Sequence, residues 1–321
     1  MKGIFVNWTE PYRQRKRLRG HAFKVYREQP SEIYTTTDQE ILYTILSVGY
    51  WRKFNGTTKL FTDKEGFEYY KSLNMLSLWD EIDTDTLSNY NSVDGGQFWT
   101  SGKSYCIGLE KPPFVFLDLD FIVRQKLPEW VYSSDVCIPY WEIPRGYYYP
   151  TRDQFESIKH WKPKDNFSYN MLIPNTSFLY INHLGVQKEY LEEHLKAVNT
   201  KDEIPEWFWL VTDQGLFGQS LRNNDVAPQT LSDKVFLADF EHGGSEVGRA
   251  ESFFYQLNHD KTKDELNWFH VWFRKIVYNM NEDFRYQDCR DFYNEILTYL
   301  PEYSHLLNHP RLSQYGSIYR F

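Results

Sequence analysis

Residues 113–123 read PFVFLDLDFIV, an apolar run that closes on two carboxylates one residue apart, Asp118 and Asp120. Phe114 to Leu117 has the near-continuous hydrophobicity of a strand buried on both faces. Alternate side chains of a strand share a face, so the two carboxylates are expected to converge where the chain leaves the core. Two charges beside a hydrophobic strand are costly unless something positive meets them. A divalent cation supplies that partner, because Mg2+ and Mn2+ favour oxygen ligands and often join one or two carboxylates to a substrate's phosphates. The plainer alternative is a pair of aspartates capping a turn or starting a helix.

The surrounding elements have to position this pair. Gly3–Trp8 reads as a first strand and Thr35–Phe54 as a helix, capped by Thr37 or Asp38, with Ile41, Leu42, Ile45, Leu46 and Val48 at helical spacing. Lys59–Thr62 is a second strand, Phe67–Leu73 a short helix, Leu76–Ile82 a third strand and Gln97–Leu109 a helix leading into the acidic strand. Asp135–Trp141 and Ser177–Asn182 read as further strands, with a Tyr- and Lys-rich loop or lid over Gly146–Asn170 between them. Gln187–Val198 is an amphipathic helix, and Val235–Phe240 is a late strand running into His242, Gly243 and Gly244. From Glu251 the pattern turns helical, clearest over Leu266–Val277 and Cys289–Leu300. This alternation predicts an α/β fold with a mostly parallel sheet flanked by helices, residues 1–250, and a helical C-terminal extension, 251–321, packed on it. Ligands of such sheets bind beyond the carboxyl ends of the strands, where the acidic pair is expected.

A net charge of −8 and a pI near 5.6 argue against a general nucleic-acid binder. Arg13, Arg15, Lys16, Arg17, Arg19, Lys24 and Arg27 form a local basic exception, read either as a solvated face or as a site for diphosphate or an acidic acceptor. Cys106, Cys137 and Cys289 have neither metal-type nor disulfide-type spacing, which fits a reducing compartment. No signal-peptide core and no apolar run near the roughly 18 residues of a membrane span is evident, so a soluble, cytoplasmic protein is expected.

The order of motifs is strand, helix, KLFTDKEG, a Trp99/Lys103 helix, PFVFLDLD, then Asn175-x-x-Phe178, Asp213-Gln214 and FEHGG. It resembles the nucleotide-sugar-dependent glycosyltransferases of the GT-A fold, and is most similar to glycogenin-like and capsule-type enzymes with a D-x-D region. The resemblance spans roughly residues 1–250 and implies a Rossmann-like GT-A sheet. It also implies transfer of a hexose from a UDP- or GDP-linked donor to an acceptor hydroxyl, with Mn2+ or Mg2+ as cofactor and a lean toward retention of configuration. In that scheme Asp120 ligates the metal, Asp118 shares it or takes the ribose hydroxyls, and His242 is the third ligand. Gly243 and Gly244 let the backbone approach the phosphates. Asn175 lines the sugar pocket, and Asp213 and Gln214 lie near the reacting carbon. Trp8 stacks on the base, Trp99 and Lys103 face the donor with Lys103 at a phosphate, and Asp63 borders the nucleoside. The sequence departs from the pattern in its arginine-rich segment and in Arg249, the basic residue after the glycine turn, which stands at a different spacing. Two other readings remain open: a haloacid-dehalogenase-type phosphatase with Asp118 as nucleophile, and a non-catalytic module that binds a nucleotide sugar or glycan.

Overall fold

The structure, a computed structural model, describes residues 1–15, 33–143, 158–164, 172–200, 211–233, 235–237, 266–271 and 281–316, with isolated positions 153, 156, 167 and 208. The described strands are β1 (Gly3–Asn7), β2 (Thr58–Thr62), β3 (Glu81–Asp83), β4 (Phe114–Leu117), β5 (Phe121–Val123) and β6 (Val136–Ile138). They continue with β7 (Trp141–Ile143), β8 (Ile173–Pro174), β9 (Phe178–Ile181), β10 (Gln229–Thr230), β11 (Val235–Leu237) and β12 (Trp268–His270). The helices used below are α1 (Asp38–Phe54), α2 (Lys64–Ser72), α3 (Ser101–Leu109), α4 (Leu184–Val198), α5 (Leu216–Asn223) and α6 (Glu282–Tyr299).

Seven strands form the central sheet in the order β10-β6-β9-β4-β1-β2-β3. Pairings among β4, β1, β2 and β3 are parallel, and β9 runs antiparallel between β4 and β6. This mostly parallel, helix-flanked sheet is consistent with the expected GT-A-like fold. Both faces are covered, and the strand sequences show why. Val115 and Leu117 of β4 point into one core with Phe178 and Tyr180 of β9, while Phe114 and Phe116 point into the other with Leu179 and Ile181. The period-2 alternation thus carries apolar residues to both sides, and the sheet needs helices on each.

Helix α1 fills the first core, together with α6 and the 3-10 segment after it. Its start is fixed by a capping box, in which Thr37 Oγ1 accepts from Glu40 N and the Glu40 carboxylate accepts from Thr37 N. Helices α3, α4 and α5 cover the opposite face. There α3 lies so close to β1 that a Cβ on Gly102 would come within 2.9 Å of Trp8, so only glycine fits.

Several expected elements differ in detail. Leu76–Leu78 is a 3-10 turn, and the third strand is confined to Glu81–Asp83. Asp63 starts α2 three residues earlier than expected because its carboxylate accepts from Gly66 N. The helix expected over Leu266–Val277 is corrected: Trp268–His270 is strand β12, paired antiparallel with β5, and residues 272–277 lie outside the described residues. The alternating aromatic run satisfies its backbone on β5 rather than within itself. Among the described residues no helix is long and apolar enough to cross a membrane, and all three cysteines are buried thiols.

Candidate active site

The acidic pair lies just past the carboxyl end of β4, but not on an extended strand as expected. Asp118 N donates to Ser177 O, and Phe121 N donates to Asp118 O at 2.9 Å, closing a tight turn over residues 118–121. Convergence therefore comes from the turn rather than from strand alternation. Beyond it, β5 leaves the main sheet to pair with β12, and the register sets His270 opposite Phe121. Val271 N donates to Asp120 O at 3.0 Å, fastening the end of β12 to the acidic turn.

The result is a cluster in which one ligand atom each from Asp118, Asp120 and His270 lies within 4.8 Å of the others. His270 Nε2 is 3.8 Å from Asp120 Oδ1, while its Nδ1 is 3.3 Å from the Tyr140 hydroxyl. Donors around one octahedral ion with bonds of about 2.1 Å stand roughly 3–4 Å apart, so this set needs little adjustment to hold a cation. Carboxylate and imidazole donors together suit Mn2+, and the carboxylates also suit Mg2+. Asp120 and His270 are buried, whereas Asp118 is partly exposed, which leaves one side open to a ligand. His242, Gly243 and Gly244 lie outside the described residues. The sequence alone does not single out His270, because a helix is expected over Leu266–Val277; the signal it carries is WFHV, an alternating aromatic stretch with one polar member.

Lys103 of α3 links this cluster to a second one. Its ammonium is 2.8 Å from Asp213 Oδ2 and 3.7 Å from Asp118 Oδ1, and it donates to Thr176 Oγ1 at 3.0 Å. Burial pulls this ammonium toward neutrality, but Asp118 and Asp213 outweigh it and the pKa is raised. Asp213 lies in a π-helical turn, Val211–Gly215, and is 2% exposed. Its other oxygen accepts from Thr176 Oγ1 at 2.9 Å and lies 3.2 Å from the Tyr190 hydroxyl.

The turn itself is anchored from below. His194 Nδ1 is 2.9 Å from Thr212 O, its Nε2 is 2.7 Å from Ser101 Oγ, and Ser101 Oγ is 2.7 Å from the Tyr90 hydroxyl. A carbonyl only accepts, so Nδ1 carries the proton and Nε2 accepts from Ser101. Burial holds His194 in this neutral form, lowering its pKa to about 4.

A third group surrounds Glu142 of β7. Asn175 Nδ2 donates to Glu142 Oε1 at 2.7 Å, and Gln214 donates to the same carboxylate. Asn175 Oδ1 accepts from Ser177 N, and its own backbone N–H donates to Tyr140 O. Burial by the surrounding protein, with Asp213 adding, raises Glu142 to about 7 against the opposing bonds from Asn175 and Gln214. Nothing in the local sequence marks Glu142.

Asp118, Asp120, Lys103, Asn175, Asp213 and Gln214 are thus connected through one polar strip. Trp8, Trp99 and Asp63 sit differently. Trp8 is buried against Tyr90 and Gly102. Asp63 is buried and accepts from Thr9 N and Thr9 Oγ1 as well as capping α2. Trp99 precedes α3 and is partly exposed. Of the basic segment, Arg13 pairs with Glu10 and Glu65, Arg15 closes a short helix, and residues 16–32 lie outside the described residues.

No family model matches the chain, and no curated protein matches it. Among solved structures it is similar to the PaToxG glycosyltransferase at 9% identity and a TM-score of 0.39, covering 70% of this chain and 69% of that one. It is also similar to a nucleoside-diphosphate-sugar pyrophosphorylase from Vibrio cholerae RC9, at 12% identity and a TM-score of 0.36, over 74% and 93% of the two chains. A third is mouse xyloside xylosyltransferase 1 in its apo form, at 12% identity and a TM-score of 0.32, over 68% and 79%.

Proposed function

We propose that this chain is a metal-dependent glycosyltransferase that moves a hexose from a UDP- or GDP-linked donor to an acceptor hydroxyl. The observation that carries the reading is the meeting of Asp118, Asp120 and His270 beyond the carboxyl end of β4. Asp120 and His270, with Asp118, would hold Mn2+ or Mg2+, His270 taking the third position that the sequence suggested for His242, and such an ion would supply Lewis-acid stabilisation of the charge on a leaving diphosphate. Lys103, fixed between Asp118 and Asp213, adds positive potential beside that diphosphate. Gln214 and Asn175 face the sugar, and Asp213, paired with Lys103 and bonded by Thr176, holds the turn that carries Gln214.

The test is Mn2+-dependent release of UDP or GDP from UDP-glucose, UDP-galactose and GDP-mannose, with water as the default acceptor. Asp120→Asn is expected to remove Mn2+ binding and turnover together while the protein stays folded. Wild-type rates in that variant at saturating Mn2+ would remove the site. Phosphate release from p-nitrophenyl phosphate would favour the phosphatase reading, and donor binding without turnover a binding module.

A further inference from the structure

Asp213 is committed to the protein: it is buried, paired with Lys103 and bonded by Thr176. Glu142 is different: it is partly exposed on β7, and Asn175 and Gln214 fix its carboxylate. Among the described residues the charged groups acting on it are Asp213 and Lys103, and the Tyr140 hydroxyl is an ionisable neighbour from the same segment.

Gln214 adds an independent observation. Its amide nitrogen must face Glu142, because a carboxylate accepts, and that orientation leaves Oε1 on the other side. There, among the described residues, Oε1 is buried without a hydrogen-bond partner, on a residue 8% exposed. An orphaned buried acceptor costs about 1–3 kcal/mol, a cost that a substrate hydroxyl would relieve.

We propose that Glu142 takes the proton of the incoming acceptor hydroxyl, and that Gln214 Oε1 receives a neighbouring hydroxyl of substrate. This rests on the transferase reading above. In the step, a lone pair of the acceptor oxygen forms the bond to the anomeric carbon. The bond from that carbon to the phosphate oxygen breaks, and its electron pair leaves on the nucleoside diphosphate. The acceptor proton passes to the Glu142 carboxylate, which later releases it to water. A base titrating near the working pH is the most effective kind, and Glu142 has that property. A separate base belongs to direct displacement, so this inference departs from the retaining outcome that the resemblance implies and favours inversion.

The experiment follows nucleoside-diphosphate release from the donors above across pH 5–9, for wild type, Glu142→Gln and Glu142→Asp, with thermal unfolding as a check on folding. The wild-type rate is expected to rise with pH through about 7. Glu142→Gln should lose this rise and fall on the order of 10²-fold or more in kcat, with donor KM little changed. Glu142→Asp should keep part of the rate and the rise. The first-formed sugar, read by NMR before mutarotation, should be inverted. An unchanged pH profile in a folded, active Glu142→Gln, or a retained anomer, overturns this inference alone. No Mn2+-dependent release by the wild type from any donor overturns the transferase reading and this one with it.

Discussion

Asp213 and Asp120 are both buried carboxylates within reach of the Lys103 charge, yet their surroundings differ. Asp213 is finished by the protein: an ammonium at 2.8 Å, a threonine hydroxyl at 2.9 Å and a tyrosine hydroxyl at 3.2 Å. Asp120 instead stands with a second carboxylate and an imidazole, one ligand atom of each within 4.8 Å of the others. The first arrangement spends its electrostatics on holding a backbone turn in place. The second leaves donor atoms gathered about one point, an arrangement that gains from an added cation.

The comparison breaks most visibly if each cluster loses one charge. Lys103→Met leaves Asp213 buried without its cation and is expected to cost about 3–5 kcal/mol of folding stability by denaturant unfolding. Lys103→Met/Asp213→Asn should recover much of that loss. Asp120→Asn should change stability by no more than about 1 kcal/mol, since it relieves repulsion with Asp118. Equal destabilisation by Lys103→Met and Asp120→Asn would erase the distinction between the two clusters.

A second test concerns the anchor beneath Asp213. His194 is held neutral, with its pKa lowered to about 4, below the unfolded value near 6.5. A depressed pKa gives stability that is present above about 6.5 and lost as pH falls toward 4. The wild type should therefore lose up to about 3 kcal/mol over that interval relative to His194→Gln, which keeps a donor and an acceptor but does not titrate. Parallel curves for the two proteins between pH 7 and 4 would show that His194 is not the group responsible.

These clusters were unequally legible in the amino-acid order. PFVFLDLD announced both a buried strand and an acidic terminus, because hydrophobic run and carboxylates are neighbours in the chain. Thr37 and the helix after it were equally plain, since a capping box is local. His270 was hidden because its place depends on β5, far away in sequence, and WFHV fits a buried helix segment as well as a strand. The residues His242, Gly243 and Gly244 offer a stronger local cue in the sequence, which is why the third-ligand expectation falls there. Glu142 gave no cue at all. Its raised pKa comes from burial by the surrounding protein, with Asp213 adding, and a property made by non-local neighbours leaves no trace at its own position.

The smallest expected effect probes how the cation-facing cluster is aimed. The Tyr140 hydroxyl is 3.3 Å from His270 Nδ1, on the far side of the ring from Asp120. If Nε2 binds a cation, Nδ1 must carry the proton and donate to the Tyr140 oxygen, which fixes both tautomer and ring rotation. Outer partners of metal-bound histidines typically change affinity by about 10–100-fold, and a contact this long should lie near or below the bottom of that range. Tyr140→Phe is therefore expected to weaken Mn2+ binding by roughly 3–10-fold in the presence of UDP, measured by calorimetry, with little change in unfolding midpoint. His270→Ala should cost far more, because it deletes the donor atom rather than its aim. Affinity unchanged in Tyr140→Phe but lost in His270→Ala would mean that the β12–β5 register alone orients the imidazole. Affinity unchanged in both would take His270 out of the cluster and leave the aspartates to hold the ion with water.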